Sequence, residues 1–315
     1  MRICVLGGTG FVGSALVGEL ARRGHQLRVL TRNPLAASHL RVLPQLQLQR
    51  ADAHLPQALS RELADADVAI NLIGILNEGR DAKQRYASAH VSIAKNLLAA
   101  CRANAVPRLL QMSALGASAD APSAYLRSRA DAEQLLSGAG GVATTIFRPS
   151  VIFGRNDTLL NRFAALLRIA PLGIMPLARA DTRFAPVWVG DVVRAFVRAL
   201  RDPATAGQCY ELCGPQVLTL AQLVEYAAQL TGQRCHILRL PDSLGALQAA
   251  VLGLLPGRPL TLDNFRSLER DSVCSVDGLA ALGIRPTQLG SIAPTYLGRG
   301  AREARLAGFR ERAGR

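Results

Sequence analysis

The run Ile3-Cys4-Val5-Leu6-Gly7-Gly8-Thr9-Gly10-Phe11-Val12-Gly13 constrains this chain more than any other stretch of it. A short apolar strand leads into glycines spaced three and three, and these open an apolar helical run. Strand, tight turn and helix in that order make the first half of a βαβ unit. Gly7 permits the turn, Gly10 lets the backbone approach a pyrophosphate, and Gly13 lets helix and strand pack closely. The first amides of the helix then lie at the positive end of its dipole, where an anion is stabilised. Thr9, Phe11 and Val12 complete a loop suited to a dinucleotide.

The alternation continues beyond the loop. Strands are expected over 3–6, 26–31, 46–50, 68–73, 108–113 and 142–147, with helices over 11–23, 56–64, 82–104 and 123–137. Gly24 and the glycines of 138–141 close the first and last of these helices. The reading is an α/β fold: a Rossmann domain over residues 1–150, with a doubly wound parallel sheet and helices on both faces. After Pro149, prolines at 171, 176, 186, 203 and 215 punctuate shorter elements: helices over 159–169 and 219–230, one begun by Asp191, and a strand over 208–212. Residues 151–315 are expected to form a smaller α/β substrate or partner lobe with pieces returning to the Rossmann sheet, leaving a cleft over the strand ends. With 315 residues, 49% of them apolar, the chain can bury such a core.

Six cysteines (Cys4, Cys101, Cys209, Cys213, Cys235, Cys274) lack the paired spacing of a zinc site and read as reduced, mostly buried thiols. No metal is expected. The start of the chain carries no charged and then apolar leader, which points to the cytoplasm. The apolar run 244–255 is too short to span a bilayer and fits a buried or surface-lying helix. The formal charge of +14 is carried by arginines spread along the chain, with some concentration over 299–315. A solvated helix end explains that tail, and contact with a partner or the inner face of a membrane is the competing reading. Neither a helix-turn-helix pattern nor an aromatic platform points to nucleic acid.

At the end of the second strand, where NAD-binding versions of this unit place a carboxylate for the ribose hydroxyls, stand Arg32 and Asn33. Arginine suits a 2′-phosphate, so NADP(H) is favoured over NAD(H), although an exposed arginine in a polar loop would read the same. Asp52, followed by Ala53, could accept from the adenine amino group, or could simply be a turn residue before the next helix.

The glycine loop, followed by Asn71-Leu72-Ile73-Gly74, Met112-Ser113-Ala114-Leu115-Gly116, Tyr125-Leu126-Arg127-Ser128-Arg129 and Arg148-Pro149-Ser150-Val151-Ile152-Phe153-Gly154, resembles the extended and atypical short-chain dehydrogenases, the epimerase/dehydratase-like group. More narrowly it is similar to the nucleotide-binding accessory subunit of respiratory complex I and its bacterial relatives, through Asn161-Arg162-Phe163, the segment 186–191 and Leu260-Thr261-Leu262-Asp263. The resemblance implies that Gly7, Gly10 and Gly13 hold pyrophosphate, that Leu72, Ile73 and Gly74 line the adenosine side, and that Pro149 and Val151 lie beside the nicotinamide.

It also implies a catalytic tyrosine, Tyr125, paired with a lysine four residues on that holds the cofactor ribose and lowers the tyrosine pKa. A free tyrosine titrates near pH 10, so a neighbouring cation is what lets it act as a base at neutral pH. Here Arg129 stands at the lysine position, one helical turn on. It can hold a ribose hydroxyl but cannot relay a proton. The carbonyl-polarising Ser or Thr of the group falls near Leu115, with Ser113 two positions earlier. His90 reads first as a packing residue and Asp191 as an N-cap.

Two functions follow. One is a protein whose dinucleotide is structural or sensory, within a respiratory or quinone-linked assembly. The other is an NADP(H)-dependent oxidoreductase, epimerase or dehydratase using Tyr125 on a small apolar substrate.

Overall fold

The glycine loop is fed by β1 (Arg2–Leu6), a strand whose residues Ile3 to Leu6 are all buried. Strands covered on both faces read as continuous apolar runs, and β1 is one. It pairs in parallel with β2 (Gln26–Thr31) on one side and β4 (Val68–Asn71) on the other. Outside them lie β3 (Leu46–Arg50), β5 (Arg108–Met112) and β6 (Ala143–Pro149), again in parallel register. The strand Cys209–Leu212 completes a seven-stranded sheet, in the order Cys209–Leu212, β6, β5, β4, β1, β2, β3. The edge strand β3, Leu-Gln-Leu-Gln-Arg, has no fully buried residue, in keeping with its alternating sequence. Strand order reverses between β1 and β4, and ligands of doubly wound sheets bind outside the carboxyl ends of the strands at such a switch point.

This computed structural model describes residues 1–79, 81–138, 140–255 and 258–298. The chain divides into two units, Met1–Pro149 with Val192–Glu211, and Ser150–Asp191 with the described residues from Leu212 onward. In the first, helices α1 (Phe11–Arg22), α2 (Pro56–Leu63), α3 (Ile93–Ala103) and α4 (Ala124–Ser137) connect the strands. Leu59, Leu63, Leu97, Cys101, Ala132 and Leu136 pack with Cys4, Leu6 and Leu109 in one apolar cluster. Helix α6 (Val189–Arg201) brings Phe196 to within 4.3 Å of the Phe147 ring on β6.

In the second unit, α5 (Leu160–Ile169) and α7 (Leu220–Thr231) share an apolar core through Leu167, Leu223, Val224 and Ala227. Strands Ile174–Ala178 and His236–Leu240 pair in parallel. Helix α8 (Asp242–Leu252) buries Gly245 and Ala249 near Ala178 and Phe265, and leaves Leu244, Leu247 and Val251 exposed. The apolar run is thus a surface-lying helix, and among the described residues no helix is long and apolar enough to cross a membrane. The basic stretch 299–315 lies outside the described residues.

Three expectations are corrected. The helix expected over 82–104 is three pieces: a 3₁₀ turn Ala82–Gln84, a π-helical segment Ala87–Ser92, and α3. Tertiary bonds select this break, for Tyr86 donates its N–H to Glu78 and its hydroxyl to Leu76 O. Helix α6 begins at Val189, so Asp191 is inside its first turn rather than its N-cap, and its carboxylate accepts the N–H and hydroxyl of Thr287 at 2.6 and 3.0 Å. The cysteines are not all reduced: Cys213 and Cys274 form a disulfide, and of the other four only Cys4 and Cys101 are buried. Gly214 N–H donates to Ala185 O and Ala185 N–H to Ser272 O, so both cysteines flank one segment despite their 61-residue separation. Local spacing carries no trace of such a pairing.

The unfolded, unreduced protein should therefore react with a thiol reagent at four cysteines, and at six after reduction. Cys213→Ser should lower unfolding free energy by about 2–4 kcal/mol, read by denaturant titration. Six reactive thiols without reductant would refute the pairing.

Candidate functional site

At the end of β1 the backbone turns through Gly7, at φ +74°, a conformation that favours glycine. A Cβ there would meet the Leu72–Ile73 peptide at 2.9 Å, so the missing side chain also lets the loops after β1 and β4 touch at the switch point. A Cβ on Gly13 would collide with Gly7 O and come within 2.6 Å of the Gly8 backbone. Gly10 is the N-cap of α1, its N–H bonded to Gly7 O at 3.1 Å.

No side chain caps α1 and its first turn holds no acidic residue. Other helices are finished differently: the Ser123 hydroxyl caps α4, and Thr219 with Gln222 forms a capping box on α7. The bare end leaves the amides of Phe11, Val12 and Gly13 facing outward without intrahelical acceptors, beside the half-buried Thr9. An uncapped helix start behind a loop whose glycines let β1, α1 and the loop after β4 pack closely fits a pyrophosphate.

Along the neighbouring strand ends, Arg32 is exposed, and no ion pair to it occurs among the described residues. Asn33 Oδ1 accepts the N–H groups of Leu35 and Ala36, so this oxygen belongs to a local turn. Asp52 is also a turn residue, with Oδ1 accepting His54 N–H at 3.0 Å, while Oδ2 accepts Lys83 Nζ at 2.6 Å. The Lys83 ammonium holds the Asp52 carboxyl below the usual range. Ala53 packs against the apolar cluster. Lys83, which sequence reasoning missed, carries no motif, although it is one of only two lysines in the chain.

Beyond β4, Leu72 N–H continues the ladder to Leu6 O, and Ile73 leaves it because its N–H turns to the Asn71 side chain. Arg129 on α4 is 6% exposed, and its Nη1 donates to Ile73 O and Met112 O at 3.3 and 3.1 Å. Its Nη2 fills the space that a side chain on Gly74 would need. Its Nε is buried with no partner among the described residues. The guanidinium lies over the Tyr125 ring, 5.5 Å from the centroid. Most of this cation is thus committed to the ends of β4 and β5.

Tyr125 is half-buried, edge-on to Tyr86 and His90 with centroids 5.9 and 5.6 Å away. His90 is 1% exposed. Its Nε2 accepts Ile75 N–H at 3.2 Å, so the proton sits on Nδ1, which donates to Ser128 Oγ at 2.8 Å. Ser128 in turn donates to Tyr125 O. Burial, then the Arg129 charge, push the His90 pKa down to about 2.

Ser113, two positions before Leu115, is buried and its hydroxyl is already engaged. Its hydroxyl donates to buried Glu133, which also accepts the Arg148 guanidinium, because a buried carboxylate must be paired. Leu115 at the alternative position is apolar, and its N–H bonds to Pro149 O. Val151 belongs to the second unit, where its carbonyl accepts Val187 N–H.

Residues 3–213 match the model of the NAD dependent epimerase/dehydratase family. Among curated proteins, the chain is 33% identical over 290 residues to the Arabidopsis thaliana mitochondrial NADH dehydrogenase [ubiquinone] 1 alpha subcomplex subunit 9, covering 87% of this chain and 71% of that protein. It is 28% identical over 250 residues to the ceramide reductase of Caulobacter vibrioides, covering 79% and 76%. Among solved structures, an NADPH-dependent quinone oxidoreductase of Escherichia coli superposes with a TM-score of 0.73 at 20% identity, over 92% of this chain and 97% of that one.

Gly13→Val should displace the loop and weaken dinucleotide binding more than tenfold in a calorimetric titration; retained affinity would contradict the packing described. His90 gives a second expectation. Above pH 6.5 it is neutral both folded and unfolded, and below that only the unfolded chain takes up the proton. Stability should therefore fall as pH drops from about 6.5 toward 2, by up to about 1.4 kcal/mol per pH unit. Urea unfolding from pH 7 to 5 should show this slope, and His90→Asn should flatten it.

Proposed function

The chain belongs to the NAD dependent epimerase/dehydratase family, and we propose that within it this protein holds NADP(H) chiefly as a structural or sensory cofactor of a respiratory or quinone-linked assembly. The observation that carries this reading is Arg129. Lysine at that position would hold the ribose and activate the tyrosine; the guanidinium instead braces the carbonyls of Ile73 and Met112 and contacts Tyr125 through its ring face. Ser113, bound to Glu133, leaves no hydroxyl there to polarise a carbonyl.

In this reading the amides of Phe11, Val12 and Gly13 bind the pyrophosphate, and Arg32 takes the 2′-phosphate. Leu72, Ile73 and Gly74 line the adenosine side. When bound, the nicotinamide supplies hydride chemistry. The likeness to the plant complex I subunit supports the respiratory link, and the exposed Leu244, Leu247 and Val251 of α8 give a surface for that contact.

The competing reading is an active reductase, epimerase or dehydratase in which Tyr125 donates or accepts the proton. The likeness to a reductase supports it, as does the cation over the Tyr125 ring.

Purified protein should retain NADPH that exchanges slowly and resists oxidation by a panel of carbonyls and quinones, followed by absorbance. It should sediment with respiratory membranes, and Leu247→Glu should release it. Rapid substrate-dependent NADPH oxidation, lost in Tyr125→Phe, would overturn this reading in favour of the enzyme.

A further inference from the structure

The NADP(H) reading assigns one cation, Arg32, to the 2′-phosphate, but the residues around it hold a second. We propose that Lys83 and Arg32 together form a phosphomonoester subsite, in which Lys83 binds the 2′-phosphate and neutralises the carboxylate of Asp52 beside it. This inference rests on the NADP(H) reading above.

The strand ends set the geometry. Ala51 N–H donates to Thr31 O at 3.1 Å, joining the ends of β2 and β3, so Arg32 and Asp52 each stand one residue beyond that junction. Asp52 is fixed by its bond from His54 N–H, and its other oxygen holds Lys83 Nζ at 2.6 Å. Lys83 comes from the 3₁₀ turn Ala82–Gln84, which Asp81 caps through Lys83 N–H. The ammonium is thus held beside Asp52, a residue far from it in sequence.

Electrostatics give that place a purpose. Asp52 and Asp81 stabilise the Lys83 charge, and Arg32 lies close enough to oppose it. Asp52 and Lys83 are paired with each other, whereas Arg32, the other cation of the group, has no ion partner among the described residues. An anion held between guanidinium and ammonium removes their repulsion, and a phosphomonoester presents three acceptor oxygens to both. A bare Asp52 would repel that dianion. With Lys83 paired to it, the same carboxylate becomes a brace that positions the second cation.

The test is calorimetric titration of the full chain with NADP⁺, NAD⁺ and 2′,5′-ADP at low and high salt. Lys83→Ala should weaken NADP⁺ and 2′,5′-ADP about tenfold, change NAD⁺ less than twofold, and flatten the salt dependence. Lys83→Arg should restore most of the loss. Unchanged NADP⁺ affinity in Lys83→Ala overturns the subsite. So does an equal loss for NAD⁺, which would mark Lys83 as merely structural. Arg32→Ala separates the two levels of the argument. If it abolishes the preference for NADP⁺ while Lys83→Ala does not, only the subsite fails. If wild type has no such preference, the NADP(H) reading fails with it.

Discussion

Everything at the candidate site depends on how closely three backbone segments approach one another where β1 ends. Gly7 lies against the Leu72–Ile73 peptide and Gly13 against the carbonyl of Gly7, at separations that no Cβ could share. The approach packs α1 onto β1 and leaves its first amides outward, uncapped by any side chain. Interiors are close-packed, so a contact of this kind cannot be relaxed by a few tenths of an ångström without moving the elements it joins. The uncapped helix end and the packing of the sheet are in that sense one constraint.

Beneath this loop the polar groups are arranged to leave little unpaired. His90, Ser128 and the Tyr125 carbonyl form a chain whose proton positions follow from the Ile75 N–H at one end. Ser113, Glu133 and Arg148 form a second. Both run through α4, so the helix that presents Tyr125 is also the helix that these buried bonds position. Among the described residues the orphan is Arg129 Nε, one turn beyond Tyr125. One nitrogen, Nη1, reaches both the Ile73 and Met112 carbonyls, while the rest of the planar guanidinium, bulkier than an ammonium, occupies the space above Gly74. One side chain thus sets the packing at the ends of β4 and β5 and lies over the Tyr125 ring.

Beyond the ends of β2 and β3, one side chain can serve two contacts at once. Asp52 makes the turn that its place before a helix implies, and the second oxygen left over by that turn anchors Lys83. Asn33 is more fully absorbed by its own turn, since its oxygen accepts from both Leu35 and Ala36.

The sequence by itself determined the parallel sheet, the place of the glycine loop and the positions of α1, α2 and α4, because those depend on local periodicity and on backbone conformations that glycine favours. It also placed Arg129 one turn from Tyr125, since helical spacing is fixed. Tertiary structure alone decided where long side chains go. That Arg129 caps β4 and β5, that Ser113 serves Glu133, that Asp191 holds Thr287 and that Cys213 finds Cys274 are all contacts between segments far apart in the chain. The break at 85–92 belongs with them, because bonds from Tyr86 and His90 to the loop after β4 outweigh the regular helical period. Local sequence encodes which backbone is easy to form; which buried polar groups must satisfy one another is settled only when the segments meet.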